Sequence, residues 1–100
     1  MRVIARKTLR KFWGTHADAK GELEAWYKVI KKAQWRSFDD VRAVYGKTVD
    51  RVGLCYIFDI RGNKYRLVVV LSPDWTVALT CVFLTHREYD RDKWKDTCAC

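Results

Sequence analysis

Leu54-Cys55-Tyr56-Ile57-Phe58-Asp59-Ile60-Arg61-Gly62-Asn63-Lys64-Tyr65-Arg66-Leu67-Val68-Val69-Val70-Leu71 is the stretch that decides the fold. Its side chains alternate with a period of two, the spacing of a strand. Leu54, Tyr56, Phe58 and Ile60 share one face, and Cys55, Ile57 and Asp59 share the other. Gly62 and Asn63 both tolerate positive φ and predict a tight turn. On the return, Tyr65, Leu67, Val69 and Leu71 fall on one side, with Lys64, Arg66, Val68 and Val70 on the other. The stretch therefore predicts an antiparallel hairpin whose far end is buried and whose turn is charged.

Beyond it, Ser72-Pro73-Asp74 predicts a second turn, with Pro73 at its second position. Trp75 to Leu84 reads as a third strand, and its nearly unbroken apolar run predicts cover on both faces. Thr85 and Glu88 then match a capping box, opening a helix that is expected to reach about Asp96. Upstream, the period lengthens to that of a helix. Leu9, Phe12, Trp13 and His16 mark a first helix, Thr8 to His16. Asp18 is placed to cap a second helix, marked by Leu23, Trp26, Tyr27, Ile30 and Gln34. The short link between them implies an antiparallel helical hairpin. Ser37 and Asp40 can cap a short helix through Tyr45, and Gly46 to Gly53 reads as a loop. Val3 and Ile4 fit either a short edge strand or the approach to the first helix. The predicted class is α+β: an N-terminal helical hairpin packed on one face of a small antiparallel β-meander, with a C-terminal helix.

A chain of 100 residues supports one domain, 1–100, around one core. It is 49% hydrophobic with five Trp, which excludes a disordered chain. The net charge of +8 is uneven: residues 1–36 carry ten Lys/Arg against three Asp/Glu, the remainder ten against nine. A basic helical segment attracts nucleic acid or an acidic protein, or simply forms a solvated face. Met1 to Phe12 lacks the apolar centre of a secretory signal, and no apolar run approaches the ~18 residues of a membrane span, so the cytoplasm is the expected compartment. For that compartment Cys55 and Cys81 read as small hydrophobes within strands. Cys98 and Cys100 fall on a tail, from about residue 95, that is expected to be mobile. A Cys-x-Cys tail with no neighbouring His or Cys pair does not predict a metal site, and no motif calls for a cofactor.

Two polar clusters carry the chemistry. Lys64 and Arg66, two apart on a strand, share a face beside the turn. Together they suit a phosphate, Arg through paired hydrogen bonds and Lys as a point charge. His86, Tyr89 and Asp90 have the spacing of one helix face. His86 can exchange protons near neutral pH, and Tyr89 can stack on a base or donate its hydroxyl. Each cluster alone is equally a solubilising turn or helix end. Together they suit cleavage of RNA, whose 2′-hydroxyl is a built-in nucleophile needing proton transfer and charge stabilisation.

The chain resembles the HigB family of bacterial type II toxins, in the RelE/ParE-like superfamily. The resemblance rests on Met1 to Arg10, on Ala25-Trp26-Tyr27-Lys28, on Phe58 to Leu67, and on Thr85-His86-Arg87-Glu88-Tyr89-Asp90. It implies a RelE-like fold and a metal-independent mRNA interferase that cuts translated mRNA on the ribosome. It also implies neutralisation by a HigA-type helix-turn-helix antitoxin. Asn63, Lys64, Arg66, His86 and Tyr89 would belong to the active surface. In that setting Arg66 would stabilise the phosphorane, Lys64 bind the scissile phosphate, His86 transfer the proton and Tyr89 position base or phosphate. Arg61, Asn63, Lys28, Lys31 and Lys32 would bind RNA. ParE-like relatives share the fold but block gyrase, so a non-enzymatic toxin is the competing expectation. A plain RNA- or partner-binding module is a third.

Overall fold

The computed structural model describes residues 1–4 and 6–100. The hairpin forms as β3 (Cys55–Ile60) and β4 (Tyr65–Leu71), with Cys55 opposite Val70 and Ile60 opposite Tyr65. At its turn the Lys64 amide donates to the Arg61 carbonyl at 3.2 Å. Positive φ falls on Arg61 and Gly62 rather than on Gly62 and Asn63. Glycine adopts that conformation without a Cβ clash, whereas Arg61 is anchored there by its amide, which donates to Glu22 Oε2 at 2.9 Å. The Ser72–Trp75 turn closes as expected, with the Trp75 amide on the Ser72 carbonyl at 2.9 Å. Trp75 itself has positive φ and belongs to the turn, so β5 begins later, at Val77, and runs to Thr85.

The sheet is larger than a three-strand meander. It has five strands in the order β1-β5-β4-β3-β2 and is mixed. β1 (Arg2–Ile4) pairs in parallel with β5, and β2 (Val49–Val52) pairs antiparallel with β3. β2 lies within the segment expected to be a loop. Its charged centre, Asp50-Arg51, hides a strand from a hydrophobicity reading, yet charge is what a sheet edge carries.

Three helices cover one face of the sheet: α1 (Arg6–Thr15), α2 (Lys20–Lys32) and α3 (Phe38–Tyr45). Leu9, Leu23, Trp26, Ile30 and Val41 bury against Tyr56, Phe58, Leu67, Val69 and Leu71. Each fully buried aliphatic or aromatic side chain stabilises the fold by ~1.5–3 kcal/mol. Ser37 caps α3 by accepting the Asp40 amide, as its spacing predicts. Asp18 does not cap α2. It lies in a 3-10 turn (Ala17–Ala19) and its carboxylate accepts from Lys64 and Tyr65 instead; Gln34 falls beyond the end of α2.

The C-terminal helix is broken in two, and it covers the opposite face. α4 (His86–Asp90) ends before Asp92, whose φ is +59°, and α5 (Trp94–Thr97) follows. Trp94 and Cys98 pack with Cys55, Ile57 and Val68. The helices thus sandwich the sheet rather than lining one face. The tail is also not a free thiol-bearing segment: Cys55 is bonded to Cys100 and Cys81 to Cys98, with Cα separations of 5.3 and 6.0 Å. A bulge in the β4–β5 ladder, between Val68 and Val69, leaves Cys81 as the extra residue. The bulge puts Cys81 beside Val82 on the tail side, which strict alternation along β5 does not foresee. No helix among the described residues is long and apolar enough to cross a membrane.

Candidate functional site

The junction of β5 with α4 is built by the capping box. Thr85 Oγ1 accepts the Glu88 amide at 3.3 Å, and Glu88 Oε1 accepts the Thr85 amide at 2.9 Å. That second hydrogen bond, with further help from Thr85, holds the Glu88 carboxyl below its usual range. The β4–β5 ladder continues into the junction, where the His86 amide donates to the Lys64 carbonyl at 3.1 Å. These bonds fix where His86 and Tyr89 leave the backbone.

Arg66 is the centre of the site. It extends from β4 on the tail side of the sheet, and only 10% of its side chain is exposed. Nε pairs with Asp59 Oδ1 at 3.1 Å, across the register pair Asp59–Arg66. Nη1 donates to the Tyr65 carbonyl at 3.1 Å. Nη2 donates to Asn63 Oδ1 and lies 3.3 Å from His86 Nδ1. The guanidinium also sits over the Tyr89 ring, 5.4 Å from its centroid. A guanidinium has five N–H groups, so at most one is left for a substrate.

His86 takes its tautomer from this arrangement. Arg66 can only donate, so Nδ1 accepts and the ring proton lies on Nε2. Nε2 is 3.3 Å from Asp90 Oδ2, and both side chains are half-exposed or more. Arg66, His86 and Asp90 therefore form a line from a buried cation to a solvent-facing carboxylate. Burial pushes the Asp59 carboxyl up, with Arg66 opposing it. Burial also pushes the Tyr89 phenol up, with a smaller push from Asp50, so Tyr89 stays a neutral donor.

The structure brings together Arg66, His86, Tyr89 and Asn63, and adds Asp59. It does not bring Lys64 to them. Lys64 lies in the turn, exposed, paired with Asp18 and 5.3 Å from the Tyr65 ring centroid. The Asp18 hydrogen bond holds the ammonium above its usual range, and the same bond holds Asp18 below its own. The expected shared face of Lys64 and Arg66 fails because the strand begins at Tyr65, one residue too late. Arg61 is exposed at the same turn. Lys28, Lys31 and Lys32 lie further away, on the α2 side of the sheet. They line a groove of about 480 Å³ with Arg6, Leu9, Trp13, Glu24 and Tyr27.

Asp59 was legible as a lone acid in an apolar strand, but its role required the hairpin register. The sequence places His16 on the first helix stripe, and it lies one residue past the end of α1. Its ring lies 4.8 Å from that of Tyr65 and 5.5 Å from that of Phe83, so it packs at the end of the helix-covered face. Among the described residues no group of three or more His, Cys, Asp or Glu side chains is placed to hold a metal ion.

Fold and site define a small basic α+β protein with a buried, multiply anchored arginine beside a histidine–aspartate pair. The family model for HigB_toxin, the RelE-like toxic component of a toxin-antitoxin system, matches residues 19–92, and the chain belongs to that family. Membership makes it the toxin of such a system, with an antitoxin as partner. No curated protein matches the chain.

Proposed function

We propose that this chain is a ribosome-dependent, metal-independent endoribonuclease acting on mRNA, a single RelE-like domain with α1 and α2 as its antiparallel hairpin. The observation that carries the reading is the Arg66–His86–Asp90 line at the open end of the sheet. A phosphodiester entering there offers Nη2 a better acceptor than imidazole, because both partners are charged. As Nη2 turns to the phosphate, His86 Nδ1 is freed to take the proton of the RNA 2′-hydroxyl. Asp90, on Nε2, orients the ring and stabilises the imidazolium, the part an aspartate plays in a catalytic triad.

The 2′-oxygen then bonds to phosphorus and the bond to the 5′-oxygen breaks. The proton held by His86 passes to that leaving oxygen. The products are a 2′,3′-cyclic phosphate and a 5′-hydroxyl, and the step needs no other reactant. Arg66 and the neutral Tyr89 phenol stabilise the charge that develops on phosphorus oxygens. Lys64, Arg61 and the α2 lysines contact phosphates outside the scissile one; Lys64 must leave Asp18 to do so. The partner is a HigA-type helix-turn-helix antitoxin, the setting is cytoplasmic, and mRNA on the ribosome is the substrate.

Primer extension on mRNA translated in the presence of the purified chain tests this. Discrete, translation-dependent cuts are expected, and His86→Ala and Arg66→Ala each remove them. Intact mRNA with inhibited gyrase supercoiling supports the ParE-like alternative and overturns the nuclease.

A further inference from the structure

All four cysteines are paired, and both bridges end on the last three residues. Cys100 is tied to β3 and Cys98 to β5, so the tail is strapped across the sheet on the side opposite α1–α3. The seat is shaped for it. Gly53 has φ +58°, and a Cβ there would lie 2.5 Å from the Cys100 carbonyl oxygen. The Cys55 sulfur also lies 3.9 Å from the Cys98 carbonyl oxygen.

From the strap a continuous set of contacts leads to the candidate site. Trp94 is buried under the tail with Cys55 and Cys98. Its ring stacks on Tyr89, centroids 5.2 Å apart and planes 14° apart, and its Nε1 donates to the Tyr89 carbonyl at 3.0 Å. Tyr89 in turn carries the Arg66 guanidinium, which reaches His86. α5 has four residues, far below the length at which a helix stands without tertiary support. The family match ends at residue 92, so the strap lies outside the matched segment.

We propose that Cys55–Cys100 and Cys81–Cys98 are a reversible thiol–disulfide modification site whose oxidation state sets the position of Tyr89 and, through it, of Arg66 and His86. Each bridge is reduced by a dithiol, which attacks one sulfur and closes to its own disulfide. Two electrons and two protons pass to the protein, leaving two thiols. Disulfide exchange with an oxidised thiol reverses the step. In a reducing compartment such bridges are transient and sensing rather than permanent. Oxidised, the strap presses Trp94 on Tyr89 and the site is assembled. Reduced, the four-residue helix loses its anchors and Tyr89 loses its stacking partner.

The cleavage readout of this proposal rests on the nuclease reading, whereas the structural readout does not. The full chain is equilibrated in reduced and oxidised dithiothreitol of varied ratio, and its bridges are mapped by peptide mass spectrometry. Nitrogen-15 NMR follows the Arg66 Nε–H, the Tyr89 amide, and the indole N–H of Trp94 and Trp26. Expected are the two mapped bridges, and shifts at Arg66, Tyr89 and Trp94 on reduction. Trp26, in the core on the helix-covered face, should stay in place and report an intact fold. Cys98→Ser/Cys100→Ser should show the reduced pattern in every buffer. Cleavage should fall on the order of 10- to 100-fold on reduction, the scale of a misplaced reacting group. Arg66 and Tyr89 signals that stay put after full reduction overturn the proposal, as does a different pairing in oxidised protein. Shifts as expected, with no cleavage in either state, uphold the strap and refute the nuclease.

Discussion

Arg66→Lys separates the anchoring role of this residue from its charge. Lysine keeps the positive charge and can retain the pair with Asp59. It cannot span Tyr65, Asn63, His86 and Asp59 at once, because its donors radiate from one nitrogen. Asn63 is exposed and His86 is half-exposed, so water replaces the lost partner there. The hydrogen bond to the Tyr65 carbonyl is buried, and losing a hydrogen bond from a charged donor there costs ~1.5–3 kcal/mol. A destabilisation of about 2 kcal/mol lowers the melting temperature by roughly 8–16 °C in a domain this small. Loss of the charge-stabilising fork should lower cleavage on translating ribosomes by ~10²–10³-fold. Calorimetry and single-turnover primer extension measure the two effects independently. A melting temperature unchanged within error refutes the anchoring argument, and an unchanged cleavage rate refutes the catalytic one. Arg66→Met adds a test with a sign. Without the Arg66 counter-charge, the burial that already raises the Asp59 carboxyl above the usual 3.8, helped by the nearby Asp50 charge, loses its main opponent. A group with a raised folded pKa binds protons more tightly in the folded state. Stability therefore falls as pH rises from 3.8 through the folded value, and Arg66→Met should lose more against the unaltered protein at neutral pH than at pH 4.

Thr85→Ala removes the Oγ1 half of the capping box, leaving the backbone amide of residue 85 on Glu88, and should cost about 1 kcal/mol by thermal melting. The opposite pH sign applies here, because the Glu88 carboxyl is depressed: its contribution is full above 4.5 and is lost as pH falls through the lower folded value. Glu88→Gln keeps an acceptor for the Thr85 amide but cannot titrate, so it should flatten that acid limb, and an unchanged limb counts against the cap as its cause. Gly53→Ala meets both positive φ and the Cys100 carbonyl, so oxidised protein should yield far less Cys55–Cys100 peptide, while normal yield refutes the close seat. The bridges close loops with sequence separations of 45 and 17, each worth ~3–4 kcal/mol by chain entropy though not additively, since the smaller loop lies inside the larger. Reduction should therefore lower the melting temperature by at least about 10 °C, and a shift under about 3 °C would contradict this.

What could be read without coordinates was short in range. The period-two alternation of Leu54–Leu71 specifies the hairpin because a one-residue slip would bury its charges. The Thr85–Glu88 and Ser37–Asp40 caps form as spaced because each closes within one helical turn. His86 and Tyr89 follow from the first of these, and Arg66 from the hairpin. Tertiary structure alone decided the rest. β1 and β2 are three and four residues long and become strands only by pairing with β5 and β3. Lys64 was turned away to Asp18, 46 residues distant, by a strand start one residue later than its alternation suggested. Asp59 met Arg66 only through register. The cysteines gave no local sign of their partners, because β3, β5 and the tail are brought together by packing rather than by neighbouring residues. Local chemistry thus determined which side chains could act, and long-range pairing determined which of them meet.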